Sequence, residues 1–215
     1  MHNDDICQQG AYLSPMTLLA IDTAGPRLQL ALRRDHGADV LVEDMPTGQA
    51  ERIFPAIAEL LARHGATYAD LTRIAVTTGP GSFTGVRIGL SAARGLGLGL
   101  AIPVVGVPSL VALSLAGPPG PPFAVLLDAR RDEAYLQRFL APGEPMGGAA
   151  LLPVAEARRG LPGTLPILEG PHADIGLVAA FVAGRDPALF PPDAAYLREA
   201  DAKPQERFVV ARAPA

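Results

Sequence analysis

Hydrophobic and polar positions change period along the chain in a way that assigns its elements. "TLLAID" (17–22) is an apolar run closed by Asp22, the pattern of a buried strand. "RLQLALR" (27–33) alternates with period two, and "ADVLVED" (38–44) predicts a third strand. Short turns separate these three segments, which predicts an antiparallel meander. The period lengthens at "ERIFPAIAELLARHG" (51–65), where Ile53, Ile57, Leu60 and Leu61 share one helical face and Gly65 supplies a C-cap. Pro55 must lie near the first turn of that helix or bend it. "RIAVTT" (73–78) predicts a strand, 83–100 a helix, "VVGV" (104–107) a strand and "SLVALSLA" (109–116) a helix. The order is βββαβαβ followed by a helix.

Proline-rich "GPPGPP" (117–122) marks a boundary, after which the chain begins again. "FAVLLDARRDEAYLQRFL" (123–140) repeats the plan of 17–32: an apolar strand, an Asp at its end, a tight turn and an alternating strand. Asp22 and Asp128 occupy equivalent places. The second half is thinner, with "LPILEG" (165–170) as a strand and "HADIGLVAAFVAG" (172–184) as a helix. The expected class is α/β: a two-lobed actin-like, sugar-kinase-like (ribonuclease H-like) fold with a reduced second lobe. The expected parts are a disordered leader (1–15, with Met16 an alternative start), an N-terminal lobe (16–117), a smaller C-terminal lobe (118–204) and a tail (205–215). In that architecture the hairpin turns of both lobes approach the phosphates of ATP. Asp22, Thr23 and Asp128 are therefore candidates for a degenerate nucleotide site. The competing reading is that an Asp after a strand is simply a turn former.

Composition narrows the options. With 49% apolar and 19% charged residues the chain as a whole folds. Its net charge of -4 argues against unaided binding to nucleic acid, which needs clustered basic charge. A lone Cys7 excludes internal disulfides and suits a reducing cytoplasm. The stretch 95–117 has no charge and is long enough for a bilayer, but Pro103 and Pro108 divide it into a helix end, a strand and another helix.

The loop "GPGSFTG" (79–85) lacks the Gly-Lys-Ser/Thr ending of a Walker loop and the third glycine of G-x-G-x-x-G. Ser82 or Thr84 is placed to cap the helix that follows. In that helix Gly85, Gly89, Ala93 and Gly97 recur every four residues. Three interior glycines forfeit about 3 kcal/mol relative to alanine, so close packing must compensate. The chain's own sheet is one candidate neighbour. Because Val86, Ile88, Leu90, Leu96 and Leu98 surround the helix, a second subunit is the expected one, meeting this helix together with the helix at 51–64. The expected interface is Glu51, Ile53, Ile57, Leu61, Gly85, Val86, Gly89, Ala93 and Gly97.

"LLAIDTA" (18–24), "GPGSFTGVRIGLSAARGLGLGLAIPVVGVPSLVAL" (79–113), "DARRDEAY" (128–135) and "YLREADAKP" (196–204) closely resemble the TsaB (YeaZ) family. The resemblance implies a non-catalytic subunit of the bacterial machinery that makes threonylcarbamoyladenosine beside the anticodon of tRNAs. It implies pairing with the catalytic paralogue TsaD through the two N-lobe helices, and the ATPase TsaE joining that pair. It further implies a homodimer when alone, tRNA contact only through the complex, no cofactor held by the chain alone, and ATP or ADP at a subunit boundary. Gln49, Ala50 and Glu51 stand where the family often has His-Ser-Glu, and Asp22-Thr23-Ala24 where Asp-Thr-Ser is common. The alternative of a small phosphotransferase needs an ATP pocket and a catalytic base that the short second lobe does not supply. A metallopeptidase needs paired histidines, and His2, His36, His64 and His172 are nowhere at i, i+4.

Overall fold

The computed structural model describes residues 16–34, 37–170 and 172–197. The first sheet holds β1 (Thr17–Asp22), β2 (Arg27–Arg34), β3 (Gly37–Asp44), β4 (Arg73–Thr77) and β5 (Val104–Val107), in the order β3-β2-β1-β4-β5. β1, β2 and β3 form the expected meander, with Thr17 opposite Arg34 and Asp22 opposite Gln29. β4 and β5 run parallel to β1, and each follows a helix: α1 (Gln49–Ala62) before β4 and α2 (Phe83–Leu100) before β5.

Strand alternation divides this sheet into two apolar faces. Leu19, Ile21, Leu30, Leu32 and Leu41 point toward α1 and α2, where Ile53, Ile57, Leu60 and Leu61 meet them. On the other face Ala20 lies opposite Ala31 on one side and Ala75 on the other. This row of three alanines leaves a shallow bed, and α5 (Ile175–Ala183) lies across it with Val178, Ala179 and Val182 buried. α3 (Ser109–Ser114) closes the same core.

The second sheet repeats the plan. β6 (Phe123–Arg130) and β7 (Glu133–Ala141) form a hairpin, and β8 (Glu144–Pro145) and β9 (Ala150–Pro153) both pair with β7. α4 (Val154–Arg159) leads to β10 (Ile167–Glu169), which runs parallel to β6 as β4 does to β1. Thus β6, β7, β9, α4 and β10 stand for β1, β2, β3, α1 and β4. Among the described residues no strand stands for β5, which makes this lobe the smaller one.

The lobe boundary differs from the expected 118–204. From residue 172 the chain leaves the second sheet and packs on the first. The reason is that α5 is apolar on nearly every side and needs the first sheet's open face. Arg73 holds its end, donating to the carbonyls of Val182 at 3.0 Å and Arg185 at 2.8 Å. Residues 190–195 then cover β5: Gly106 N–H donates to Phe190 O at 2.9 Å and Ala195 N–H to Thr78 O at 2.8 Å. A Cβ at Gly106 would run into Pro191 O, which explains the glycine inside "VVGV". The expected leader and tail lie outside the described residues. Among the described residues no helix is long and apolar enough to cross a membrane.

Candidate docking face and inter-lobe cleft

A cleft of about 930 Å³ separates the lobes, with Asp22, Gln49 and Ser109 on one side and Asp128, Arg130 and Arg158 on the other. Asp22 ends β1 and is 5% exposed. Its Oδ1 accepts from Ala24 N–H at 2.9 Å and Thr77 Oγ1 at 2.6 Å, and its Oδ2 from Gln29 Nε2 at 2.9 Å. These three donors satisfy a carboxylate that would otherwise be costly to bury. Asp128 is exposed, yet its Oδ1 accepts from Arg130 N–H at 2.8 Å, two residues ahead, as Asp22 does from Ala24. The shared feature of the two repeats is a side chain that folds its own hairpin turn.

Thr23 requires a correction. Its Oγ1 donates to Gly85 O at 2.7 Å, beneath the first turn of α2, and it does not line the cleft. Gln49 was not among the expected site residues, although it lines the cleft. Its Nε2 donates to Gly25 O at 3.0 Å and Arg27 O at 2.9 Å, tying the start of α1 to the β1–β2 turn. Asp22 already accepts from three protein donors, two on Oδ1 and one on Oδ2, and Arg158 is paired with Glu169 at 2.9 Å. Among the described residues no three His, Cys, Asp or Glu side chains gather into a metal-binding group.

The glycine ridge of α2 also requires correction as a surface for a partner. It faces the chain's own sheet. A Cβ at Gly85 would strike Thr23 O, one at Gly89 would sit 2.5 Å from Thr23 Oγ1, and one at Gly97 would strike Val104. Ala93 is fully buried, and Ile53, Ile57, Leu61 and Val86 point into the same core. Of the nine expected interface residues only Glu51 is exposed. The small residues let α2 sink onto β1, β4 and β5, and this packing compensates for the helix propensity they forfeit.

What α2 turns outward is a different stripe: Phe83, Arg87, Ser91, Arg94 and Leu98. Phe83 is 52% and Leu98 87% exposed. Their spacing of four, four, three and four residues is that of one helical face, a signal present in the sequence but eclipsed by the glycines. α1 lies alongside and adds Glu51 and Phe54, the latter 47% exposed. Arg52 fixes α1 to the edge of the sheet, bridging Glu43 on β3 and, at 2.7 Å, Glu59 two turns along the helix. Its guanidinium holds both carboxyls below the usual glutamate range. At the other end of α1, His64 and Arg63 do the same for Asp39. The two helices together leave Phe54, Phe83 and Leu98 exposed, with Arg87 and Arg94 on α2 and Glu51 and Glu59 on α1.

A family model described as "TsaD: tRNA N6-adenosine threonylcarbamoyltransferase" matches residues 46–203. An uncharacterised protein of Mycobacterium tuberculosis is 36% identical over 203 residues, covering 87% of this chain and 94% of its own length. The Escherichia coli tRNA threonylcarbamoyladenosine biosynthesis protein TsaB is 39% identical over 99 residues, covering 46% of this chain and 43% of its own. The solved structure of YeaZ from Pseudomonas aeruginosa superposes with a TM-score of 0.69 at 28% identity, covering 85% of this chain and all of that one. On sequence and fold together, the chain belongs to the TsaB (YeaZ) family of tRNA threonylcarbamoyladenosine biosynthesis proteins.

Proposed function

We propose that this chain is a non-catalytic docking subunit in threonylcarbamoyladenosine synthesis. It binds the TsaD-type catalytic paralogue through the outer sides of α1 and α2. The observation that carries this reading is the exposed stripe from Phe83 to Leu98 beside Phe54, on two helices fixed to a sheet. Apolar side chains of this size, clustered on a rigid face, are the anchors of protein interfaces. The cleft supports the non-catalytic half of the reading, because Asp22 is committed to its own turn. The ATPase TsaE joins the pair, and ATP or ADP is held at the subunit boundary rather than by this chain alone. The isolated chain forms a homodimer by the same helices. With a net charge of -4, it meets tRNA only through the complex.

The test is co-expression with the host's TsaD, mass measurement of the intact assembly, and assay of modified adenosine with and without this chain. The expected result is a stable pair whose activity needs both subunits. Steady ATP turnover by this chain alone, or full activity of the paralogue without it, would overturn the reading.

A further inference from the structure

The strap formed by residues 190–197 does not end at β5; it continues onto the outer side of α2. Asp193 pairs with Arg94 at 2.6 Å. One residue after Ala195 bonds Thr78, the chain reaches the first turns of α2. There Tyr196 accepts a hydrogen bond from Arg87 Nε at 3.0 Å. The Arg87 guanidinium lies 3.5 Å from the centroid of the Phe83 ring and 5.8 Å from that of Tyr196. The two rings are 5.7 Å apart and tilted by 40°. Despite these mutual contacts Phe83 and Tyr196 each remain about half exposed.

We propose that Phe83, Arg87 and Tyr196 form one preassembled recognition element, and that the strap is therefore part of the docking face. The proposal rests on the docking reading above and names the chemistry of the surface it takes: an apolar helix face of the catalytic paralogue that carries a carboxylate opposite Arg87. Charge argues for the carboxylate. Residues 83–100 contain Arg87 and Arg94 and no Asp or Glu, although the chain as a whole is acidic. Arg94 has its carboxylate in Asp193, whereas Arg87 stacks on Phe83, bonds Tyr196 and pairs with no Asp or Glu among the described residues. Preassembly argues for a hot spot. Arg and Tyr dominate such sites, and side chains already fixed by stacking lose little freedom on binding. The planar guanidinium stacks and still offers its edge to a carboxylate, which an ammonium group does not.

The experiment uses the full chain and the host's TsaD in a titration, with thermal midpoints checking that each variant is folded. Tyr196→Ala and Phe83→Ala should each weaken the pair at least tenfold. The double variant should lose less than the product of the two, since both dismantle one unit. Arg87→Lys should weaken it as well, and Tyr196→Phe should stay close to the parent chain. Leu98→Glu, at the other end of the stripe, separates the two ideas. If Leu98→Glu abolishes pairing while Tyr196→Ala changes nothing, the docking reading stands and the recognition element falls. If neither changes the affinity, both fall. If Tyr196→Ala dissociates only copies of this chain from each other, the element serves self-association and the proposal is overturned.

Discussion

An alanine at Gly89 should destabilise the chain, whereas an alanine at Gly95, six residues along the same helix, should stabilise it. Both exchanges gain the same helix propensity, about 1 kcal/mol. They differ in what the new Cβ meets. At Gly95 it finds nothing within 4 Å. At Gly89 it arrives 2.5 Å from Thr23 Oγ1 and 3.5 Å from Val76 Cγ2. Thr23 cannot simply turn aside, because its hydroxyl is buried and donates to Gly85 O at 2.7 Å. Overpacking costs about 1–3 kcal/mol, and a strained or lost buried hydrogen bond about 1 kcal/mol more. Set against the propensity gain, Gly89→Ala should cost about 1–3 kcal/mol while Gly95→Ala gains about 1 kcal/mol. Urea unfolding midpoints of both variants measure this directly. A Thr23→Ala background should remove most of the Gly89 penalty, a coupling that a double-mutant cycle reads out. Equal stabilisation by both alanines would refute the placement of the glycine ridge against the sheet.

Asp22→Ala should lower stability by about 2–4 kcal/mol, because it strips the acceptor from three donors at once, two of them buried side chains. The thermal midpoint would show it, and an unchanged midpoint would contradict the turn-forming role. Leu98→Glu should leave the midpoint within experimental scatter while pairing with the catalytic paralogue is lost, since this side chain is 87% exposed. Acid should destabilise the α1–β3 contact. Glu43 and Glu59 have pKa values lowered in the folded chain by Arg52, so their contribution is present above the ordinary glutamate value of 4.5 and is lost as pH falls below it. Midpoints recorded from pH 7 down to pH 3 should fall less steeply in Arg52→Ala than in the parent chain.

Much of the fold was legible because period and turn chemistry agreed. The βββαβαβ order, the internal repeat and the matched Asp22 and Asp128 all follow from strand runs closed by a turn-forming carboxylate. The short elements at 144–160 were not, since strands of two and four residues and a six-residue helix carry too little pattern. Nor was the return of α5 to the first sheet, whose cause is a row of alanines contributed by three separate strands. The packing of α2 was legible by element but not by face. A ridge of small residues signals a close neighbour without saying which one, and here the neighbour is Thr23 and Val104. The outward stripe needed the opposite question: which large side chains on α2 find no cover.

Hydrogen–deuterium exchange on this chain, alone and with the host's TsaD, tests the docking face most directly. The account predicts new protection in peptides covering the first turns of α1, in α2 and in the strap through Tyr196, with the β6–β7 hairpin and α4 unchanged. Protection confined to the cleft-lining segments of the second lobe, with α2 unaltered, would contradict it.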